Sequence, residues 1–387
     1  MAEILYKAYK FRLYPNEEQS VLLNKNIGCS RLIYNLMLQD KTTYYNECKK
    51  NIKLEVSYYK AIEGYEFLKE VDSLALANAK LNLDKAYNNF FSHKSKMPTF
   101  HKKGRNDSYT TNNIISKKNK ETIYIIDNKI NLPKIDLVKL KLSRKIDNGT
   151  IKNCTISKKA GKFYISICVQ IEPVVIDPIS KEKVKKDRIM GFDYSSPNFY
   201  VDSNGNSPEV PHFFEKSQNK LEIEQQKLAR KQKFSNGYFK QLLKVQKLHE
   251  HIVNQRKDFL HKLSNQITND YDVIVFEDID LKELSNKDNK DKATNSKLNL
   301  GKRTLDNGFG MFRNFCEYKA EKKGKVFIKI DKYFPSTKRC NNCGYVNHDI
   351  TLQTKEWDCP SCHIHNLRDE NAALNIKDEG YRLFLSK

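Results

Sequence analysis

The sequence lacks an apolar run long enough to cross a bilayer, and its N-terminus lacks the basic-then-apolar layout of a signal peptide. Acidic residues are also in deficit: 47 Asp and Glu stand against 69 Lys and Arg, which leaves a net charge of +22. The first two absences argue against a membrane partner. The positive excess favours a polyanion, with nucleic acid first. We therefore expect a cytoplasmic protein that associates with nucleic acid.

Most of the cysteines lack the spacing of disulfide or metal pairs. Of the nine cysteines, five are scattered along the chain: Cys29, Cys48, Cys154, Cys168 and Cys316. This pattern is typical of a reduced, intracellular protein rather than of a disulfide scaffold.

The remaining cysteines form two Cys-x-x-Cys pairs. They are Cys340, Cys343, Cys359 and Cys362. Two such pairs supply a tetrahedral sulfur site for Zn²⁺ and are typical of a zinc ribbon. The metal itself is expected to be a structural staple, with Trp357, the one tryptophan, packing inside the ribbon. Lys338 and Arg339, just before the first pair, could add a nucleic-acid contact.

Three acids occupy the ends of predicted elements. Asp193 ends an apolar strand, Glu277 ends a later strand, and Asp369 begins a helix directly after the ribbon. Taken singly, each could be a turn or helix cap or a solvated loop charge. Their joint order favours one cluster on an RNase H-like sheet. Such carboxylates would hold Mg²⁺ (or Mn²⁺) for phosphodiester hydrolysis.

We predict an α+β, bilobed, multidomain fold, in which a β-barrel with an inserted helical domain precedes an RNase H-like (RuvC) α/β domain with an inserted zinc ribbon. The predicted segments are the first barrel strand (1–14), the helical domain (15–95), the rest of the barrel with a basic loop (96–185), the nuclease domain with a helical insertion (186–330), the zinc ribbon (331–367) and a last helix (368–387). A strong helix is expected over 69–91, and the Asn/Lys-rich residues 283–304 are expected to be mobile.

A basic loop interrupts the N-terminal half. Lys102, Lys103 and Arg105 interleave there with aromatic residues, a mixture that suits phosphate neutralisation and base stacking. An ordinary solvated loop has the same composition, and both interpretations stay open.

The chain resembles the TnpB family of transposon-encoded, RNA-guided RuvC-type nucleases, relatives of type V CRISPR effectors. The resemblance rests on residues 7–16, 83–91 and 333–336, and most specifically on Arg368-Asp369 followed by Asn371-Ala372-Ala373-Leu374-Asn375-Ile376. It implies that Asp193, Glu277 and Asp369 form the RuvC triad. There are departures: the last knuckle reads Cys362-His363, no His-Asp precedes Arg368, and no glycine follows Asp193.

By this resemblance the protein is an RNA-guided DNA endonuclease. It would bind a guide RNA from the transposon end and cut double-stranded target DNA beside a short motif, acting as a monomer. The resemblance also implies that three positions face the target-adjacent motif: Ser73, Ala77 and Thr111. Arg368 would steady a phosphate or the three acids, or form a surface ion pair.

Rival interpretations belong to different classes. A family member that had lost cleavage would be an RNA-guided repressor, but all three acids remain here. A transposase or transposition accessory protein is a second rival, and an unguided junction resolvase is a third. The sequence has no obvious His-hydrophobe-His pairing for the transposase, and the long basic N-terminal half argues against the resolvase.

Overall fold

The structure is a computed structural model that describes residues 5–117, 120–172, 177–195, 198–279, 308–351 and 353–386. The chain divides into two compact units, Met1–Val174 and Val175–Lys387. The predicted mobile stretch 283–304 lies outside the described residues. No helix among the described residues is both long and apolar enough to cross a membrane.

The first unit contains a curled, seven-stranded antiparallel sheet. Its strands are β1 (Leu5–Tyr14), β2 (Ser108–Asn112), β3 (Ile125–Ile126), β4 (Lys129–Leu132), β5 (Asp136–Lys141), β6 (Thr150–Lys159) and β7 (Lys162–Ile171), in the order β2-β6-β7-β1-β5-β4-β3. The first strand lies between β7 and β5, so distant segments of the chain meet along it. Period-two burial on β1 and β7 directs one face of each strand inward, as a half-buried strand requires. The predicted barrel therefore corresponds to one curled sheet, with the first strand of the chain in its interior.

Three helices complete the first unit: α1 (Glu17–Cys48), α2 (Val56–Ala61) and α3 (Ser73–Phe91). Asn16 begins α1 with a capping box, because its side chain accepts from the Gln19 N–H at 2.7 Å and Gln19 accepts in turn from the Asn16 N–H. Helix α3 begins at Ser73 rather than at residue 69, because the Asp72 side chain caps it by accepting from the Leu74 N–H at 3.0 Å.

The second unit is built on a four-stranded mixed sheet. Its strands are β8 (Ile189–Asp193), β9 (Val201–Asp202), β10 (Val273–Glu277) and β11 (Val326–Ile330), in the order β11-β10-β8-β9. Strands β8, β10 and β11 run parallel, whereas β9 is antiparallel to β8. All five residues of β8 are buried, as expected for a central strand of a parallel sheet.

Helices α4 (Phe213–Ala229), α5 (Asn236–Asp270), α6 (Phe309–Glu321) and α7 (Arg368–Ser386) accompany this sheet. A separate hairpin of β12 (Glu356–Asp358) and β13 (His365–Leu367) leads directly into α7. The hairpin belongs to a small cluster of its own, in which Trp357 packs with Cys340, Ile350 and Cys359. The predicted packing role of Trp357 is thereby confirmed.

An ion-pair network anchors the opposite end of this sheet, where β10 begins. Arg188 donates to both oxygens of the Asp272 carboxylate at 2.7 and 2.9 Å, and the Lys325 ammonium lies 3.2 Å from it. These bonds, that from Arg188 first, lower the pKa of Asp272 from its usual value of 3.8.

We expect Asp272→Asn to lower the free energy of unfolding by about 1–3 kcal/mol at pH 7, because two cations would lose their carboxylate. A lowered folded-state pKa stabilises the protein above the unfolded-state pKa of about 4, and this contribution disappears as the pH falls further. The difference between the variant and the wild type in urea-unfolding measurements should therefore be smaller at pH 3 than at pH 7. The exposed Asp258→Asn is the matched control. A loss of equal size at both pH values would contradict this account.

Candidate functional site

Asp193 and Glu277 end neighbouring parallel strands. The register pairs Phe192 of β8 with Phe276 of β10, and each acid is the next residue of its strand. Beneath them the two phenyl rings stack, with centroids 4.9 Å apart. Because the carboxyl ends of parallel strands meet at one edge of a sheet, both acids lie at the same edge.

Helix α7 brings the third acid to this edge. The helix lies across β8, so close to the strand that a Cβ on Gly191 would be 2.6 Å from the Lys377 backbone nitrogen. Gly380 makes a similarly close approach to Val275 on β10. Asp369 stands in the first turn of this helix, next to Arg368.

The carboxyl of Asp193 is affected by the charges of the other two acids. Burial raises the pKa of Asp193 well above its usual range, and the negative charges of Asp369 and Glu277 raise it further, against the opposing Arg368 guanidinium. Burial also raises the pKa of Glu277 to about 7. A divalent cation would relieve both the repulsion and the cost of burying these charges, and carboxylate oxygens are the ligands that Mg²⁺ prefers. The ligand oxygens of the three acids do not all lie within 4.8 Å of one another, as those of the cysteine group do, so a shared metal would draw the acids closer together.

Two arginines border the cluster. The Arg368 Nε and Nη2 atoms lie 2.8 and 2.7 Å from the same Asp369 oxygen, Oδ1. Arg313 of α6 donates to the Glu277 carbonyl at 3.3 Å and pairs with Asp278. The sequence predicted a role for Arg368, whereas nothing in the local pattern around Arg313 indicated this contact.

The sulfur site is more tightly gathered than the acids. Among the described residues, Cys340, Cys343, Cys359 and Cys362 form the group whose ligand atoms all lie within 4.8 Å of one another. The Sγ atoms of Cys340 and Cys362 are 3.7 Å apart, and those of Cys343 and Cys359 are 3.5 Å apart. Tetrahedral Zn–S bonds require separations of about 3.8 Å. The Ile364 backbone N–H and the Asn342 side chain lower the pKa of the Cys362 thiol to about 6, which favours a thiolate there, whereas burial and hydrogen bonds from the other three cysteines raise that of Cys343 to about 11.

The predicted nucleic-acid contacts differ in exposure. Lys102, Lys103, Arg105 and Ser73 are exposed, whereas Ala77, Lys338, Arg339 and Arg368 are partly exposed. Thr111 is fully buried, and its Oγ1 atom has no hydrogen-bond partner among the described residues. A ligand could reach Thr111 only after local rearrangement. Sequence reasoning missed Gly191 and Gly380, whose close approaches depend on which elements pack together.

We expect Gly191→Ala to lower the free energy of unfolding by about 1–3 kcal/mol, because the added methyl would meet the α7 backbone at Ala373 and Lys377. Displacement of α7 would also move Asp369 and lower any activity that needs the acid cluster. Thermal unfolding and activity measurements check both effects. Gly28→Ala is the control: in the part of the chain that the structure describes, nothing beyond its own helix lies within 4 Å of its Cβ position, and the helix propensity of alanine should stabilise α1. A Gly191→Ala variant as stable as the wild type would contradict the close packing.

Comparisons with known proteins place these features in context. Sequence models match the chain over residues 1–50 ("Helix-turn-helix domain"), 166–288 ("Probable transposase", OrfB_IS605) and 309–376 ("Cas12f1-like, TNB domain"). The first segment forms strand β1 and the single helix α1 in this structure.

Two relatives align along most of the chain, and both carry the name "Putative RNA-guided DNA endonuclease". A Streptomyces pristinaespiralis protein is 29% identical over 98% of this chain and 90% of its own length. Escherichia coli InsQ is 29% identical over 97% of this chain and 92% of its own. The fold is similar to that of a chain in a cryo-EM structure of a Cas12f1–sgRNA–target DNA complex (TM-score 0.53, 13% identity, 97% of this chain and 99% of that chain).

The fold and the two sites define an α+β protein with the fold of compact Cas12f-type effectors, a four-cysteine cluster that fits zinc, and an acid cluster at a sheet edge. Within that class, the resemblance of the chain to the TnpB family is confirmed, because the OrfB_IS605 model and two relatives that align along most of the chain match it.

Proposed function

We propose that this protein is an RNA-guided DNA endonuclease of a transposable element, which cuts DNA beside a short target-adjacent motif by Mg²⁺-dependent phosphodiester hydrolysis. The observation that carries the proposal is the burial of Asp193 beside the charges of Glu277 and Asp369. So costly a gathering of acids is typical of functional sites, and in a protein with a net charge of +22 it suits a polyanionic substrate.

The strand order supports an RNase H-like reading of the second unit. Parallel strands β8 and β10 carry Asp193 and Glu277, antiparallel β9 flanks β8, and α7 supplies Asp369. The named relatives and the fold of the Cas12f1 chain agree with this assignment.

The chain's own residues divide the work. Asp193, Glu277 and Asp369 would hold the metal through carboxylate oxygens, and Arg368 keeps Asp369 in one orientation through bonds of 2.7 and 2.8 Å. Mg²⁺ bound at such carboxylates activates water and stabilises the leaving oxygen. The four cysteines hold the ribbon from which α7 emerges.

Partners follow from the same proposal. A guide RNA transcribed from the transposon end would select the target by base pairing, and the protein would read the adjacent motif on double-stranded DNA. Lys102, Lys103 and Arg105 are exposed in the first unit and could neutralise phosphates there. We propose that Ser73, Ala77, Lys338 and Arg339 contact nucleic acid as well, and that the protein acts as a monomer.

Cleavage of a plasmid library tests the proposal. The protein is purified with RNA from its own locus and given a guide-matched target with randomised flanks. We expect cleavage that needs Mg²⁺ and the guide match, and the cut plasmids should share a flanking motif. A non-matching plasmid and excess EDTA are the controls. Guided binding without cleavage would instead favour an RNA-guided repressor, and loss of RNA dependence would contradict both functions.

A further inference from the structure

Two buried asparagines lie on one face of α7, close to the acid cluster. Asn371 is 3% exposed and Asn375 is 1% exposed. Four residues separate them, so their side chains point the same way, one turn apart. Buried amides of this kind need hydrogen-bond partners, and their partners show what the helix is attached to.

Both amides donate to the segment that enters the ribbon. Asn371 Nδ2 lies 2.7 Å from the Arg339 carbonyl oxygen. Asn375 Nδ2 lies 2.6 Å from the same oxygen and 2.8 Å from that of Ser336. Residue 340, the first zinc-ligand candidate, follows immediately, so the donated bonds fix the backbone at the entrance to the cysteine cluster.

Asn341, which lies between the first two cysteines, donates hydrogen bonds to both amides in turn. The Asn341 N–H donates to Asn371 Oδ1 at 2.9 Å, and Asn341 Nδ2 donates to Asn375 Oδ1 at 3.3 Å. Each α7 amide is therefore donor and acceptor at once, which neither a carboxylate nor an apolar side chain could reproduce.

The opposite side of α7 is fixed to the sheet where Ala373 and Lys377 meet Gly191, and Asp369 lies in the first turn of the helix, just before both attachments. The Arg368 N–H also donates to the Lys355 carbonyl of the ribbon at 2.8 Å. A change in the conformation of residues 336–341 would therefore be transmitted to the helix turn that carries Asp369.

We propose that Asn371 and Asn375 are positioning residues that couple zinc binding at the four cysteines to metal binding at the acid cluster. The inference rests on the proposed function, because it concerns the same acids. Without zinc, residues 336–341 lose the constraint that holds their carbonyls on the two amides, and Asp369 is no longer held beside Asp193. Coupling of this kind is reciprocal, so a metal at the acids also tightens zinc binding.

Mn²⁺ binding to the RNA-free, full-length protein tests the coupling, with electron paramagnetic resonance to count free Mn²⁺. Mn²⁺ binding that is lost in Asp193→Asn is assigned to the acid cluster. In the wild type we expect zinc removal to weaken this binding by about tenfold. Zinc-loaded Asn371→Ala/Asn375→Ala should bind Mn²⁺ as weakly as the zinc-free wild type, and removal of its zinc should change little more. Alanine favours helix and adds no charge near the acids.

Asn254→Ala, at an exposed position of α5, is the matched control and should behave as the wild type. Fluorescence of Trp357, which is buried among the cysteines, reports whether the ribbon of each zinc-loaded variant is folded. Should the double variant fail to fold, Asn371→Ala alone and the zinc-free wild type carry the test. Equal Mn²⁺ affinity in the zinc-loaded and zinc-free wild type would overturn the coupling. Wild-type affinity in the folded variants would overturn the role of the asparagines. Absence of any Asp193-dependent component would instead count against the proposed function.

Discussion

Asp193→Asn should lower the rate of guided DNA cleavage by about 10³-fold or more while leaving guided DNA binding intact. Asparagine preserves the size of the side chain but removes the negative charge that a divalent cation needs. The acid ends β8 beside Glu277, and its charge interacts with those of Glu277 and Asp369. Single-turnover cleavage and filter binding on the same guide-matched DNA separate the two effects.

The same substitution should stabilise the metal-free protein at neutral pH. Because the folded-state pKa of Asp193 is raised, its contribution to stability is full below the unfolded-state pKa and is lost as the pH rises through the folded-state pKa. Near pH 7.5, Asp193→Asn removes a carboxyl group whose ionisation is more costly in the folded protein, where it is buried beside two other acids, than in the unfolded chain. We expect the unfolding temperature to rise by about 2–4 °C for each kcal/mol gained, and the gain to shrink towards pH 4.

Opposite effects on activity and stability would identify a site whose strain serves its function. Asp258→Asn removes an exposed acid paired with Lys262 and should change neither property. Cleavage by Asp193→Asn at close to the wild-type rate would exclude the acid as a metal ligand. An unchanged unfolding temperature would contradict the repulsion inferred between the three acids.

Local patterns in the sequence identified the parts of this site, because each part is chemically distinctive over a few residues. Cysteine pairs require only short spacings, and the Cys340–Cys362 and Cys343–Cys359 separations confirm that the two pairs meet. An apolar strand that ends in an acid is equally local, and β8 ends at Asp193 and β10 at Glu277, as expected. Metal binding by the acids and DNA cleavage remain proposals, because the spacing of residues along the sequence does not show either of them.

The attachments between the parts depend on tertiary structure. The close approach of Gly191 to α7 depends on which helix crosses β8, and a glycine in a strand is equally compatible with a bulge or a bend. In the sequence, Asn371 and Asn375 were recognised only as part of a family motif. Their hydrogen bonds to the Arg339 carbonyl explain why amide side chains occupy these two positions. Thr111 was proposed as a motif-facing position by resemblance alone, and the resemblance did not indicate that its side chain is fully buried.

Removal of zinc should unfold the ribbon and abolish cleavage. The buried cluster there contains Cys340, Ile350, Trp357 and Cys359, with Cys362 packed against it. So few apolar side chains cannot offset the conformational entropy of the ribbon. In zinc-finger peptides the metal supplies about 10–16 kcal/mol of apparent folding free energy, and we expect the same dependence here.

Trp357 makes this measurement specific. It is the one tryptophan of the chain and is 7% exposed, so its emission reports the ribbon without interference from the rest of the protein. Chelation, or Cys359→Ser, should shift that emission to longer wavelength and release zinc. The first unit should stay folded, because it has separate cores around β1 and between α1 and α3. Cys48→Ser, at an exposed cysteine outside the ribbon, should leave emission and cleavage unchanged. Emission that stays the same after complete loss of zinc would mean that packing alone keeps the ribbon folded. The position of α7 would then not depend on the metal.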